Sequence, residues 1–101
     1  MTDSTIIKTP LSIGYYKNGV LHREDGPAFE RPDGYKEYHQ NGELHREDGP
    51  AIEYSCGDKE YFQHGVLHRE NGPAFEGVDN KKEYFLNGIE VTEQDVMSPT
   101  K

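Results

Sequence analysis

Asn41-Gly42-Glu43-Leu44-His45-Arg46-Glu47-Asp48-Gly49-Pro50-Ala51 is the stretch on which the reading of this chain turns. Nearly the same string stands at residues 18–28 and again at 64–74. Gly19, Gly42 and Gly65 open the three copies, and Gly88 opens a fourth, degenerate one. Each step is 23 residues, without insertion. A fixed period of this length is the mark of a stacked-repeat architecture. In such a stack each unit contacts only its neighbours, so a thin core suffices.

Within the unit, the order of signals points to strands. Tyr15, Tyr38, Tyr61 and Tyr84 share one position, and Lys36-Glu37, Lys59-Glu60 and Lys82-Glu83 precede the last three. Tyr16, His39, Phe62 and Phe85 come next. Aromatic residues after alternating charges favour a strand. Asn18-Gly19, Asn41-Gly42 and Asn87-Gly88 follow, with His64-Gly65 as the variant. Asn-Gly accepts positive φ at both positions, which suits a tight hairpin turn. Asp25-Gly26-Pro27, Asp48-Gly49-Pro50 and Asn71-Gly72-Pro73 give a second turn signal. Ala28-Phe29-Glu30, Ala51-Ile52-Glu53 and Ala74-Phe75-Glu76 then start another strand. Residues 31–35, 54–58 and 77–81 turn back into the next unit and differ most between copies.

The expected fold is therefore all-β, a single-layer antiparallel meander with two or three short strands per repeat. Residues 1–14 are expected to form an N-terminal edge strand that caps the stack, with Pro10 tolerated at the edge. Residues 15–91 hold three full repeats and the degenerate fourth. Thr92-Glu93-Gln94-Asp95 matches a capping box, which predicts a helical turn from Glu93 to about Met97, stopped by Ser98-Pro99 before a loose tail, in a terminal segment of residues 92–101.

Composition narrows the function. The 101 residues allow one domain, and the residues AVILMFWYC make up only 32 % of them. A net charge of −8 disfavours direct nucleic-acid binding and docking on an anionic membrane. It favours a basic protein partner instead. Cys56 is the single cysteine, so no internal disulfide forms and a reducing, cytoplasmic setting is expected. No apolar run has the length of a membrane-spanning helix, and no signal peptide is expected.

The 23-residue period, the aromatic residue two places before Asn-Gly and the His three places after that Gly resemble MORN repeats over residues 15–91. The Leu-His-Arg-Glu-Asp-Gly-Pro-Ala core is similar to a variant in proteins of large phages and giant viruses. The resemblance implies a scaffold or a protein-binding surface. It further implies a phage or viral protein that binds and inhibits a host protein, for example in a CRISPR-Cas defence system. Arg23, Arg46 and Arg69 stand where the MORN pattern carries Gly, and two residues are added before the next strand. Those departures and the acidic charge speak against a lipid-contacting role.

His22, His45 and His68 recur inside His-Arg-Glu-Asp, which invites a zinc or catalytic reading. Equivalent residues of stacked strand pairs lie roughly 10 Å apart, too far to share one ion. Three near-identical copies also suit a structural ladder better than one enzyme site. Catalytic residues, metal ligands and cofactors are therefore not expected. Cys56 has no partner at metal-ligand spacing. Asp25, Asp48 and Asn71 are expected to accept backbone N–H bonds at their turns. The arginines are expected to pair with a Glu or a turn carbonyl. Leu21, Leu44 and Leu67, with Ala28, Ala51 and Ala74, are expected to pack beside the tyrosine ladder.

Function is expected where the copies differ. Tyr16, Arg31, Tyr35, His39, Tyr54 and Phe62 are the candidate contacts, since large aromatics and Arg dominate interface energies. The leading expectation is a small non-enzymatic protein-binding module. Its partner would be a host enzyme or a nucleic-acid-binding effector. A nucleotide or small-molecule sponge is the alternative, and an acidic mimic of nucleic acid a further one. An exposed sheet edge adds the expectation of a homodimer.

Overall fold

The computed structural model of the chain describes residues 3–97, so Ser98-Pro99 and the tail expected after them lie outside the described residues. Ser4–Thr9 (β1) pairs antiparallel with Ser12–Lys17 (β2) across Pro10 and Leu11. Val20–Leu21 (β3) returns along β2, and Phe29–Glu30 (β4) ends the first unit. The second unit holds Lys36–Glu37 (β5), His39–Gln40 (β6), Glu43–Leu44 (β7) and Ile52–Glu53 (β8). The third holds Lys59–Glu60 (β9), Phe62–Gln63 (β10), Val66–Leu67 (β11) and Phe75–Glu76 (β12). Lys82–Leu86 (β13), Ile89–Val91 (β14) and the helix Glu93–Met97 (α1) complete the described chain.

The sheet runs β1-β2-β4-β5-β8-β9-β12-β13-β14, every pair antiparallel, with β3 beside β2 and the small ladders β6-β7 and β10-β11 alongside. The chain is thus an all-β meander of one sheet, as its patterning predicts, with one short C-terminal helix. Its smallest dimension is 18 Å. Each unit gives three strand runs, because β5 and β6 form one run interrupted only at Tyr38.

The turn chemistry explains the hairpins. Asn18, Asn41 and Asn87 hold φ near +50°, and the glycines after them lie between +81° and +86°. These are the two left-handed positions of a type I′ turn. His64 takes the same conformation at φ 49°. The capping box is formed: Thr92 Oγ1 accepts the Asp95 N–H at 3.1 Å, and Asp95 Oδ2 accepts the Thr92 N–H at 3.0 Å.

Register sorts the side chains onto two faces. Glu30, Lys36, Glu53, Lys59, Glu76 and Lys82 stand opposite one another in one row. Phe29, Glu37, Ile52, Glu60, Phe75 and Glu83 form the neighbouring row. Adjacent rows point to opposite faces. One residue further along the strands, Tyr15 and Tyr38 flank Ala28, with Tyr15 N–H donating to Ala28 C=O at 2.7 Å. Ala28, Ala51 and Ala74 are all 0 % exposed and form the buried row beside the tyrosines.

The leucines do not join that ladder. The two-residue turns set Leu21 opposite Tyr16, Leu44 opposite His39 and Leu67 opposite Phe62. Directly opposed residues share a face, so the leucines pack with the second aromatic row.

Candidate functional site

The tyrosine face is built from arginine. The Arg23, Arg46 and Arg69 guanidiniums lie 3.9, 3.8 and 3.9 Å from the centres of the Tyr15, Tyr38 and Tyr61 rings. Arg46 Nη1 also donates to Pro50 C=O and to Glu53, both at 3.1 Å. Arg23 and Arg69 repeat both bonds with Pro27 and Glu30, and with Pro73 and Glu76. The expected pairing of the arginines with Glu and a turn carbonyl is therefore present. The expected backbone N–H bonds to the turn aspartates are not seen among the described residues: Asp25 accepts from Arg23 Nε at 3.1 Å and Asp48 lies 3.4 Å from Arg46 Nε. A guanidinium anchored over the turn takes the carboxylate that a backbone N–H would otherwise hold. None of Gly26, Gly49 and Gly72 has a left-handed φ. A Cβ on Gly49 would lie 2.9 Å from Arg46 Cζ, so this glycine makes room for the arginine.

The histidines join one unit to the next. Nδ1 of His22, His45 and His68 accepts the backbone N–H of Asn41, His64 and Asn87 at 2.8, 2.9 and 2.8 Å. An accepting Nδ1 leaves the proton on Nε2, which faces Glu24, Glu47 and Glu70 at 3.2–3.3 Å. Each imidazole thus ties the next hairpin turn to its own loop. Among the described residues, no three His, Cys, Asp or Glu side chains converge as ligands for an ion.

The positions that differ between copies behave otherwise. Arg31, in the turn after β4, stacks on Tyr35 with Cζ 4.1 Å from the ring centre. Tyr54, in the turn after β8, meets Tyr35 edge to face at 5.7 Å, and Phe29 meets Tyr35 at 6.3 Å. The Tyr35 hydroxyl donates to Glu37 and the Tyr54 hydroxyl to Glu60. Both carboxylates lie in the row with Phe29 and Ile52. Desolvation and then the bond to Glu37 push the Tyr35 phenol well above its ordinary range. The same causes, with Glu60 as acceptor, push Tyr54 up to about 12. Glu37 is held below the usual carboxylate range, chiefly by the hydrogen bond from His39.

Of the six expected contacts, Arg31, Tyr35 and Tyr54 are in one cluster, and His39 joins it through Glu37 at 2.9 Å. His39 itself is only 9 % exposed, so it supports the cluster from below and presents little surface. Its Nδ1 is buried with no hydrogen-bond partner among the described residues. Tyr16 folds over Gly14, where a Cβ would lie 2.8 Å from its ring. Phe62 sits one unit further on, opposite Leu67. Phe29, Glu37 and Glu60 complete the cluster, although none of them is among the six expected contacts. The signal for them was the period itself, which puts the Phe29 and Glu37 positions in register beside the variable turns.

Two equivalent grooves open between successive Leu-His-Arg-Glu-Asp-Gly-Pro loops, about 720 and 800 Å³ in size. Glu47, Asp48 and Glu70 line the first of them, and its Arg46 and Arg69 are already held by Glu53 and Glu76. Such a lining repels a phosphate. No helix among the described residues is long and apolar enough to cross a membrane. No family model, curated protein or solved structure matches the chain.

Proposed function

We propose that the chain is a non-enzymatic module that binds a protein through the Arg31-Tyr35-Tyr54 cluster. One observation carries this reading: residues from two successive turns, at positions free of the repeat, converge in a single stacked group. The rest of the unit is occupied in building the stack. Tyrosine and arginine held in place by neighbours contribute most to interface energy, because little side-chain freedom is lost on binding. Glu37 and Glu60 beneath the rings, in a chain of net charge −8, favour a partner that brings Lys or Arg to this face. Interference with a host protein remains an implication of the MORN-like resemblance.

The test is affinity capture with wild-type and variant chains side by side. Arg31→Ala and Tyr54→Ala are expected to lose a stoichiometric protein partner while melting close to wild type. Arg46→Ala is expected to lower the melting temperature and, where folded, to keep the partner. Capture that survives Arg31→Ala combined with Tyr54→Ala would overturn the assignment of the site.

A further inference from the structure

We propose that β1 is a self-recognition edge, through which two copies of the chain pair antiparallel about a two-fold axis at Ile6. All six residues of β1 are exposed. Ile6 is 57 % and Ile7 49 % exposed, and Leu11 in the adjoining turn is 75 % exposed. Among the described residues, no other element borders β1 on the side away from β2. Asn18 N–H donates to Asp3 C=O at 2.7 Å, which places the Asp3 backbone groups on the β2 side. Direction alternates along an antiparallel strand, so Thr5, Ile7 and Thr9 also face β2. Ser4, Ile6 and Lys8 then aim N–H and C=O groups outward.

The register follows from those three residues. With Ile6 opposite Ile6 of the second copy, Ser4 stands opposite its Lys8, and Lys8 opposite its Ser4. All three pairs exchange backbone hydrogen bonds, and no like charges meet. Any other register that matches the outward groups uses fewer of them. Lys8 is the only charged residue of β1 in a chain of net charge −8, so no acidic side chains of β1 oppose each other across this edge.

Charge and packing also disfavour the competing assembly. β1 pairs with β2 just as β4 does, with Lys8 opposite Ile13 where β4 puts Glu30 opposite Ile13. Lys8 therefore occupies the row in which Glu30, Glu53 and Glu76 neighbour Lys36, Lys59 and Lys82. Beyond β13 the edge is already taken along Tyr84–Leu86 by β14, and if β1 of a second copy continued the charged row against the remaining part of β13, its Lys8 would stand opposite Lys82. Directly opposed like charges are destabilising. The helix α1 also packs against β13 at that end. The edge chemistry, with β14 and α1 at the far end, thus favours a closed two-fold dimer over an open head-to-tail fibre.

Sedimentation velocity over a concentration series, with amide hydrogen exchange, tests this independently of any protein partner. The wild type is expected to shift from monomer to dimer without larger species, and the Ile6 and Lys8 amides to slow as dimer forms. Ile6→Pro removes an outward N–H and leaves the bonds to β2 intact, so it is expected to stay monomeric with an unchanged melt. Ile6→Lys, at a site too exposed to disturb folding, sets two ammonium groups across the axis and is expected to weaken the dimer at least about tenfold. A wild type still monomeric at about 1 mM would overturn the proposal, as would a dimer indifferent to both substitutions or an assembly that grows beyond two.

Discussion

Arg46 sits over the face of Tyr38, its guanidinium carbon 3.8 Å from the ring centre. The same guanidinium crowds Gly49, where a Cβ would come within 2.9 Å of Cζ. Stack, turn and sheet meet in this one side chain. Arg46→Ala is expected to cost about 1–3 kcal/mol, from the lost ring contact and the charge-assisted bonds to Pro50 and Glu53. Gly49→Ala is expected to lower stability by displacing the same group. Because both act through one arginine, the double variant should lose little more than Arg46→Ala alone. Denaturant unfolding of the four chains measures this, and full additivity would show that Gly49 serves something else.

The third hairpin holds a removable strain. His64 sits at φ 49° where the other units place Asn. Asn tolerates the left-handed region better than His, so His64→Asn is expected to raise stability by up to about 1 kcal/mol. The substitution also removes the approach of His64 Nδ1 to Glu43 at 3.7 Å, an exposed pair that contributes little. The backbone bond from residue 64 to His45 Nδ1 does not depend on the side chain. A lower melting temperature for His64→Asn would contradict this account.

The cluster should show itself in alkaline titration. Tyr54 is pushed up to about 12 and Tyr35 is raised as well, each by burial and by donation to a carboxylate. At about pH 11 an ordinary tyrosine is mostly ionised. Tyr54→Phe is therefore expected to leave the phenolate absorbance at that pH unchanged. A drop of one phenolate would mean that Tyr54 is open to water and not bonded to Glu60.

Acid should release the other end of the network. Glu37 titrates below its ordinary value when folded, so its ionised form is favoured by folding. That contribution is full above the unfolded value of about 4.3 and is lost as pH falls through the folded value. Glu37→Gln is expected to be less stable than wild type at neutral pH, with the difference shrinking as pH drops below about 4. Melting curves across that window check the sign. A gap that widens in acid would reverse it.

Much of this molecule is legible in its residues. The gapless period, the Asn-Gly pairs and the Thr92–Asp95 box are local signals, and each sets the backbone within a few residues of itself. Local chemistry of this kind is independent of what lies across the sheet, so strands, turns and the helix follow from it. The separation of Tyr38 from His39 onto opposite faces follows equally from alternation.

Only the assembled sheet settled which rows meet. Register across strands far apart in sequence set Leu44 against His39 and away from the tyrosines. It also brought Tyr54 from one turn onto Tyr35 from another. Asp48 turns to Arg46 because a guanidinium already lies over that turn, a neighbour that no turn rule includes. His22, His45 and His68 look alike in the chain, and their task became visible only when the next turn arrived to donate its N–H. These outcomes depend on distances between units, which a 23-residue pattern repeats faithfully but does not measure.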